Sequence, residues 1–178
     1  MLIAGVDEAG RGPLAGPVVA AAVIIPQGHF PDSKKISPKK REELYGKILA
    51  DATAVSVCAI SPFLIDSLDI RKASLLAMRQ AIISLPITPD FVIIDGRDEI
   101  PALEIPQKSI IGGDGTEFVI GAASIVAKVS RDLLMKSYSS VYKNFHFAKN
   151  KGYPTKEHYS DIEKFGITII HRKSFRLR

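Results

Sequence analysis

Short apolar segments of strand length recur along the chain, and helical stretches separate the later ones. Leu2–Val6 and Val18–Ile25 follow one another across a glycine- and proline-rich turn, whereas Ala54–Ile60 and Phe91–Ile94 are each preceded by a helical stretch. A short fifth strand is expected near Lys108–Ile111. Strands that come first and then alternate with helices predict an α/β fold, with a mixed five-stranded sheet flanked by helices.

The helix boundaries have recognisable signals. Ser37 is a suitable N-cap and Pro38 suits a first helical position, which predicts a helix from Pro38 to about Ala50. A helical stretch from Ser61 to about Leu85 is expected to break near Leu68–Asp69. The remaining helices are expected over Phe118–Tyr142 and Thr155–Phe165.

With 178 residues the chain has the length of one domain, and we expect a single domain over residues 1–178. Residues from about 144 to 178 are expected to form a small, helical, basic C-terminal extension. No apolar run approaches the ~20 residues of a membrane span, and no secretory leader pattern is present. With a single cysteine, these features predict a cytoplasmic protein without a membrane partner.

Charge is distributed unevenly. Residues 128–178 contain 12 Lys and Arg against 4 Asp and Glu, whereas residues 1–127 contain 12 against 15. This asymmetry suggests an anionic polymer that is held by the second part and acted on, with metal, at the first. A solvated basic surface explains the charge equally well, so charge alone does not decide between the two.

Four carboxylates stand where a strand or a glycine turn ends: Asp7, Glu8, Asp95 and Asp114. Clustered carboxylates repel one another by about 4 kcal/mol per pair at ~4 Å, so they take up protons or bind a divalent cation. Oxygen ligands without nearby His or Cys favour Mg²⁺ or Mn²⁺. Taken singly, each Asp beside glycine is more simply a turn former. Adjacent Asp7 and Glu8 would point to opposite faces of an ideal strand, so both reach one site only if the strand ends or bends there.

Several motifs, in order, resemble the type 2 ribonuclease H family, that of the bacterial ribonucleases HII. Residues 7–17 (DEAGRGPLAGP) and 122–132 (AASIVAKVSRD) resemble its two most specific motifs. Further resemblances are Asp32-Ser33-Lys34-Lys35, Ile94-Asp95-Gly96, Gly113-Asp114, Lys151-Gly152-Tyr153 and His171-Arg172-Lys173-Ser174-Phe175. The match runs nearly end to end. It departs from the family pattern at Gly112 and Gly121, where the family usually has Lys and Ala.

The resemblance implies a ribonuclease H-like fold and a metal-dependent endonuclease. Such an enzyme hydrolyses the RNA strand of RNA–DNA hybrids and cuts at ribonucleotides embedded in duplex DNA, leaving 3′-hydroxyl and 5′-phosphate ends. The resemblance also implies Mg²⁺ or Mn²⁺ as cofactor. Its implied metal ligands and catalytic residues are Asp7, Glu8, Asp95 and Asp114.

The same resemblance implies a set of substrate contacts. Backbone groups of Gly10, Arg11 and Gly12 would read the ribose 2′-hydroxyl, and Tyr153 would stack on the neighbouring sugar. Phosphate contacts are expected from Lys34, Lys35, Ser124 and Lys128. Arg131 shares a helix face with Ser124 and Lys128, and a polar stripe of this kind normally faces water. We expect that for Arg131.

Two other functions are compatible with parts of the sequence. Residues 10–16 could cradle a phosphate in a nucleotide-binding switch, but the loop lacks the Gly-Lys-Ser/Thr ending of such cradles. A non-catalytic nucleic-acid adaptor would share the basic surface but would not cleave a hybrid in Mg²⁺. We expect a monomer.

Overall fold

In a computed structural model, which describes residues 1–28, 30, 33 and 35–177, the strands form one mixed sheet. The strands are β1 (Ile3–Ala9), β2 (Val18–Ile24), β3 (Ala54–Ile60), β4 (Phe91–Asp95) and β5 (Gln107–Ile110). Their order across the sheet is β3-β2-β1-β4-β5. Strand β2 is antiparallel to both its neighbours, whereas β4 is parallel to β1 and β5. The predicted five-stranded mixed sheet is therefore confirmed.

Helices cover both faces of this sheet. The sheet is covered by α1 (Pro38–Asp51), α2 (Pro62–Leu68), α3 (Ile70–Ile83) and α4 (Phe118–Val141), and the C-terminal segment contains α5 (Phe147–Asn150) and α6 (Lys156–Phe165). One apolar core lies between the sheet and α2 and α3, and a second lies between the opposite face and α1 and α4. Among the described helices, none combines the length and apolar character that a bilayer span requires.

Local sequence signals account for the helix boundaries. The Ser37 hydroxyl accepts a hydrogen bond from Lys40 N at 3.2 Å and caps α1. The predicted break between α2 and α3 falls at Asp69, which adopts φ 75° and caps the second helix through Lys72 N. Strand β1 differs from its prediction, since it does not end at Asp7-Glu8 but continues to Ala9 and stays paired with β2.

The C-terminal segment folds back onto the glycine-rich turn between β1 and β2. Leu14 N donates to Gly152 O at 2.8 Å, and Gly16 N donates to Ile170 O at the same distance. Ala15 and His171 form an isolated β-bridge. A third apolar cluster beneath these contacts joins Ala15, Met135, Phe145, Phe147 and Ile170. The basic segment thus lies against the turn that follows Asp7 and Glu8.

Candidate active site

Three aspartates converge at one edge of the sheet. Strands β1 and β4 are parallel and pair Val6 with Ile94, so Asp7 and Asp95 are the next residues of neighbouring strands. Asp114 enters from a 3₁₀ turn over Gly113–Gly115, just before α4. One carboxylate oxygen from each of Asp7, Asp95 and Asp114 lies within 4.8 Å of the others. Asp95 also fixes the turn, because its Oδ1 accepts a hydrogen bond from Gly113 N at 2.8 Å.

Asp7 is the most deeply buried member of this cluster. Its exposed fraction is 2%, and its Oδ1 accepts a hydrogen bond from Glu8 N at 2.6 Å. Its buried Oδ2 has no hydrogen-bond partner among the described residues. Burial, and then the charges of Glu8 and Asp95, raise the pKa of Asp7 well above its usual value. The described residues therefore leave one oxygen of this buried carboxylate unsatisfied.

Glu8 belongs to the same electrostatic environment but lies on the other face of the sheet. Because β1 remains regular through both residues, Asp7 faces α4 and Glu8 faces α3. Glu8 does not belong to the group of residues whose carboxylate oxygens lie within 4.8 Å of one another. Its Oε1 forms an ion pair with Arg11 Nη1 at 3.4 Å. Burial raises the pKa of Glu8, Arg11 opposes this effect and Asp95 adds to it. The role of Glu8 as a metal ligand stays a prediction.

The donor set fits a hard divalent cation. Asp7, Asp95 and Asp114 offer only oxygen, and Asp7 Oδ2 is an acceptor without a donor among the described residues. Without a cation, neighbouring carboxylates repel one another and Asp7 is driven toward its protonated form. A bound cation would remove both costs. Oxygen-only sites of this kind favour Mg²⁺ or Mn²⁺ over zinc.

The glycine-rich loop beyond β1 brings Gly12 close to Tyr153. A Cβ built on Gly12 would lie 3.8 Å from Tyr153 Cε1, although the two residues are far apart in sequence. Gly12 is exposed and Tyr153 is 40% exposed, so a ligand could touch both. Two cations flank the tyrosine ring, with Lys128 Nζ and Arg131 Cζ each 5.8 Å from its centroid. The structure thus brings together two predicted substrate-binding residues.

Arg131 is buried, which contradicts the expectation that it faces water. Its side chain is fully inaccessible and donates to the carbonyls of Ala15, Pro17 and Lys151 at 3.0–3.1 Å. The turn between β1 and β2 covers this face of α4 and excludes solvent. At Gly10, where φ is 96°, a Cβ would lie 2.0 Å from Arg131 Nε, so only glycine fits beside the guanidinium.

Sequence patterns alone assign no role to Arg172, whose side chain supports the glycine-rich loop beside the site. It is fully buried, and its guanidinium donates to the carbonyls of Gly10, Arg11 and Gly16 at 2.6–2.9 Å. Its position within the C-terminal motif was the only sequence signal. Burial, and then the charge of Arg131, lower the pKa of Arg172 to about 9.

Ser124 and Lys128 lie on α4 close to the cluster, each with a partner inside the protein. The Ser124 hydroxyl is buried and lies 2.8 Å from the Ser33 hydroxyl. Ser124 also lowers the pKa of Asp7, whereas burial of Asp7 raises it. Lys128 Nζ forms a half-buried ion pair with Asp132 at 2.7 Å. Phosphate contact by Ser124 and Lys128 stays a prediction.

The remaining predicted positions that the structure describes lie in two loops. Lys35 is exposed, and Lys34 lies outside the described residues. Ser33 is held by Arg41, whose Nε donates to the Ser33 carbonyl at 2.8 Å. Gly112, where the family usually has Lys, adopts a left-handed conformation with φ 69° that glycine accommodates without strain. The change from Lys therefore suits the local backbone.

The whole chain matches one protein family. A family model described as ribonuclease HII matches residues 4–178. The ribonuclease HII of Syntrophus aciditrophicus is 50% identical over 181 aligned positions, which cover 99% of this chain and 85% of that protein. That of Geotalea uraniireducens is 53% identical, with 98% and 82% covered.

Solved structures share the fold. The ribonuclease H2 of Pyrococcus horikoshii superimposes with a TM-score of 0.84 at 26% identity, covering 99% of this chain and 95% of its own. Bst-RNase HIII, solved in complex with Mn²⁺, superimposes with a TM-score of 0.73 at 15% identity, covering 99% and 68%. The second likeness supports the fold alone.

Proposed function

The chain belongs to the ribonuclease HII family, and we propose that Asp7, Asp95 and Asp114, with Glu8 beside them, form its catalytic centre. Enzymes of this family cleave RNA in RNA–DNA hybrids and at ribonucleotides in DNA, and they depend on divalent metal ions. The observation that carries the assignment is the approach of three carboxylate oxygens within 4.8 Å, at the edge where β1 and β4 end.

The three aspartates would hold the metal, with Mg²⁺ or Mn²⁺ the species we propose. When bound, such ions supply an activated water and stabilise the 3′-oxygen as it leaves, so that cleavage yields 3′-hydroxyl and 5′-phosphate ends. Asp95 keeps the cluster assembled, since its hydrogen bond to Gly113 N ties the turn that bears Asp114 to the end of β4. The buried Oδ2 of Asp7, which has no hydrogen-bond partner among the described residues, would gain one in a bound cation.

Substrate recognition would occur beside this cluster. We propose that the exposed backbone at Arg11 and Gly12 contacts the ribose 2′-hydroxyl, and that Tyr153 packs on the adjoining sugar. Lys35 and Lys128 would contact phosphates of the duplex, and the net positive charge of residues 128–178 would attract it. A single functional unit spanning residues 1–178, a monomeric state and a cytoplasmic location stay predictions.

Carboxylate-to-amide exchange tests the assignment. Asp7→Asn and Asp95→Asn keep the side-chain shape but remove a charged ligand, so cleavage in Mg²⁺ should fall by about 10³-fold or more. Measurable binding to the duplex should remain. The assay is gel analysis of one duplex with a single ribonucleotide and another with a longer RNA tract.

Asp51→Asn is the matched control. Asp51 is an exposed carboxylate at the end of α1. It is close in sequence to Thr53, whose N–H donates to Ile24 O at the end of the sheet opposite to the three aspartates. This variant should cleave both duplexes at the rate of the unmodified protein. Full activity of Asp7→Asn or Asp95→Asn would remove the catalytic assignment, whereas binding without cleavage by the unmodified chain would favour the adaptor.

A further inference from the structure

Two buried arginines hold the glycine-rich loop through backbone carbonyls. Arg131 and Arg172 are both fully inaccessible, and each donates three hydrogen bonds. Five of the six acceptors are carbonyls of residues 10–17, and the sixth is that of Lys151. Neither guanidinium forms an ion pair with a carboxylate of the described residues. Burying a charge in this way is costly, so the arrangement calls for a role beyond packing.

The acceptors of Arg172 fix the direction of two peptide groups. In a trans peptide the carbonyl oxygen and the amide hydrogen of the next residue point in opposite directions. Arg172 draws in the carbonyl of Gly10 at 2.6 Å and that of Arg11 at 2.9 Å. The N–H groups of Arg11 and Gly12 must therefore point away from Arg172. Both residues are exposed, and neither N–H donates a hydrogen bond within the part of the chain that the structure describes.

Arg131 acts on different peptide groups of the same region. Its acceptors include the carbonyls of Ala15 and Lys151, whose following N–H groups are already used inside the protein. Gly16 N donates to Ile170 O, and Gly152 N donates to Asn150 Oδ1, each at 2.8 Å. Arg131 therefore stabilises the loop without presenting free donors. Of the two arginines, Arg172 is the one bonded to the two peptides whose N–H groups are available beside Tyr153.

We propose that Arg172 is a positioning residue for ribonucleotide recognition, because it orients the Arg11 and Gly12 N–H groups as a pair of donors for a ribose hydroxyl oxygen. This inference rests on the proposed function. A cationic donor on each carbonyl also polarises the peptide and makes its N–H a stronger donor. Discrimination between ribose and deoxyribose thus depends on a residue far along the chain that does not touch the substrate. The cation is itself packed by Phe175, whose ring centroid lies 5.0 Å from Arg172 Cζ.

The test compares Arg172→Lys with Arg131→Lys. Both variants keep the charge but lose the forked geometry that reaches three carbonyls, so both should lower the melting temperature. Dissociation constants are measured by fluorescence anisotropy in EDTA, where no cleavage occurs, for a duplex with one ribonucleotide and for the same duplex entirely of DNA. Arg172→Lys should weaken binding of the first about tenfold and leave the second unchanged. Arg131→Lys should keep the ratio of the two constants close to that of the unmodified protein.

The proposal would be overturned if Arg172→Lys had the same ratio of the two dissociation constants as the unmodified protein. It would also be overturned if Arg131→Lys changed this ratio as much as Arg172→Lys does. If Arg172→Lys does not fold, Phe175→Leu removes the ring that packs the guanidinium and should reduce the ratio by a smaller factor; an unchanged ratio there counts against the proposal. Failure of the catalytic assignment would appear separately, as cleavage by Asp7→Asn in Mg²⁺.

Discussion

Asp7 is buried at a free-energy cost that its contacts with the described residues do not offset. Its carboxylate is buried beside Glu8 and Asp95, and one of its oxygens has no hydrogen-bond partner among the described residues. Asp7→Asn removes the charge, so in EDTA at pH 8 the variant should be more stable to urea by about 1–3 kcal/mol. Because the pKa of Asp7 is raised, its ionisation costs stability as the pH rises through that value. The gain should therefore shrink in acid, where the unmodified protein is protonated at Asp7.

Two comparisons complete this test. Saturating Mn²⁺ should stabilise the unmodified protein more than Asp7→Asn, because the ion binds the folded state through the carboxylates. Asp51→Asn, with its exposed side chain, should change the unfolding free energy by less than about 0.5 kcal/mol. A less stable Asp7→Asn in EDTA would show that the carboxylate is satisfied in the folded protein.

Single residues also show where sequence patterns stop being informative. The motifs indicated Asp7, Asp95 and Asp114, and the structure brings those three together. Helical spacing placed Arg131 on a polar face, but spacing does not reveal what covers that face, and here it is a loop more than a hundred residues earlier. The acceptors of Arg131 are backbone carbonyls, which leave no mark in a pattern of side chains.

At the scale of elements, boundaries could be predicted where a local signal fixes them. Ser37 and Pro38 begin α1, and Asp69 separates α2 from α3, because capping is decided within a few residues. The end of β1 could not be predicted, since pairing with β2 carries the strand through Asp7 and Glu8 to Ala9. That long-range pairing also places Glu8 on the opposite face from Asp7, because strand alternation continues.

The contact of α4 with β1 positions Ser124 and Asp114 near Asp7, and Gly5 sets how closely they approach. A Cβ at Gly5 would lie 2.2 Å from the backbone of Val119, so Gly5→Ala must push the helix from the sheet. We expect a loss of about 3 kcal/mol or more in urea unfolding, together with weaker Mn²⁺ binding by calorimetry. Gly46→Ala, in α1 with open space around it, should instead gain up to about 1 kcal/mol. Equal stabilities of the two variants would contradict this close approach.

At the scale of the whole molecule, a buried histidine relay connects the C-terminal segment to Tyr153. Thr168 N donates to His171 Nδ1 at 2.9 Å, so the other ring nitrogen of His171 carries the proton that faces His158 Nε2 at 3.1 Å. His158 Nδ1 then donates to the Tyr153 carbonyl at 2.9 Å. Both rings must be neutral for this relay. Scattered histidines without metal-ligand spacing gave no sequence signal for it, since folding brings together residues 13 positions apart.

Acid should therefore loosen the C-terminal segment. Burial lowers the pKa of His158, and burial together with His158 lowers that of His171 from 6.5 to about 4. A lowered pKa means that the unfolded chain binds protons first, so stability present above about pH 6.5 is lost as the pH falls toward 4. Thermal and urea unfolding should show a loss of about 2 kcal/mol across this window. His158→Gln should be less stable at pH 7 but lose less on acidification, whereas exposed His146→Asn should keep the original profile. An unaltered pH profile in His158→Gln would mean that acid acts elsewhere, and that the relay does not join the basic segment to the loop beside the carboxylates.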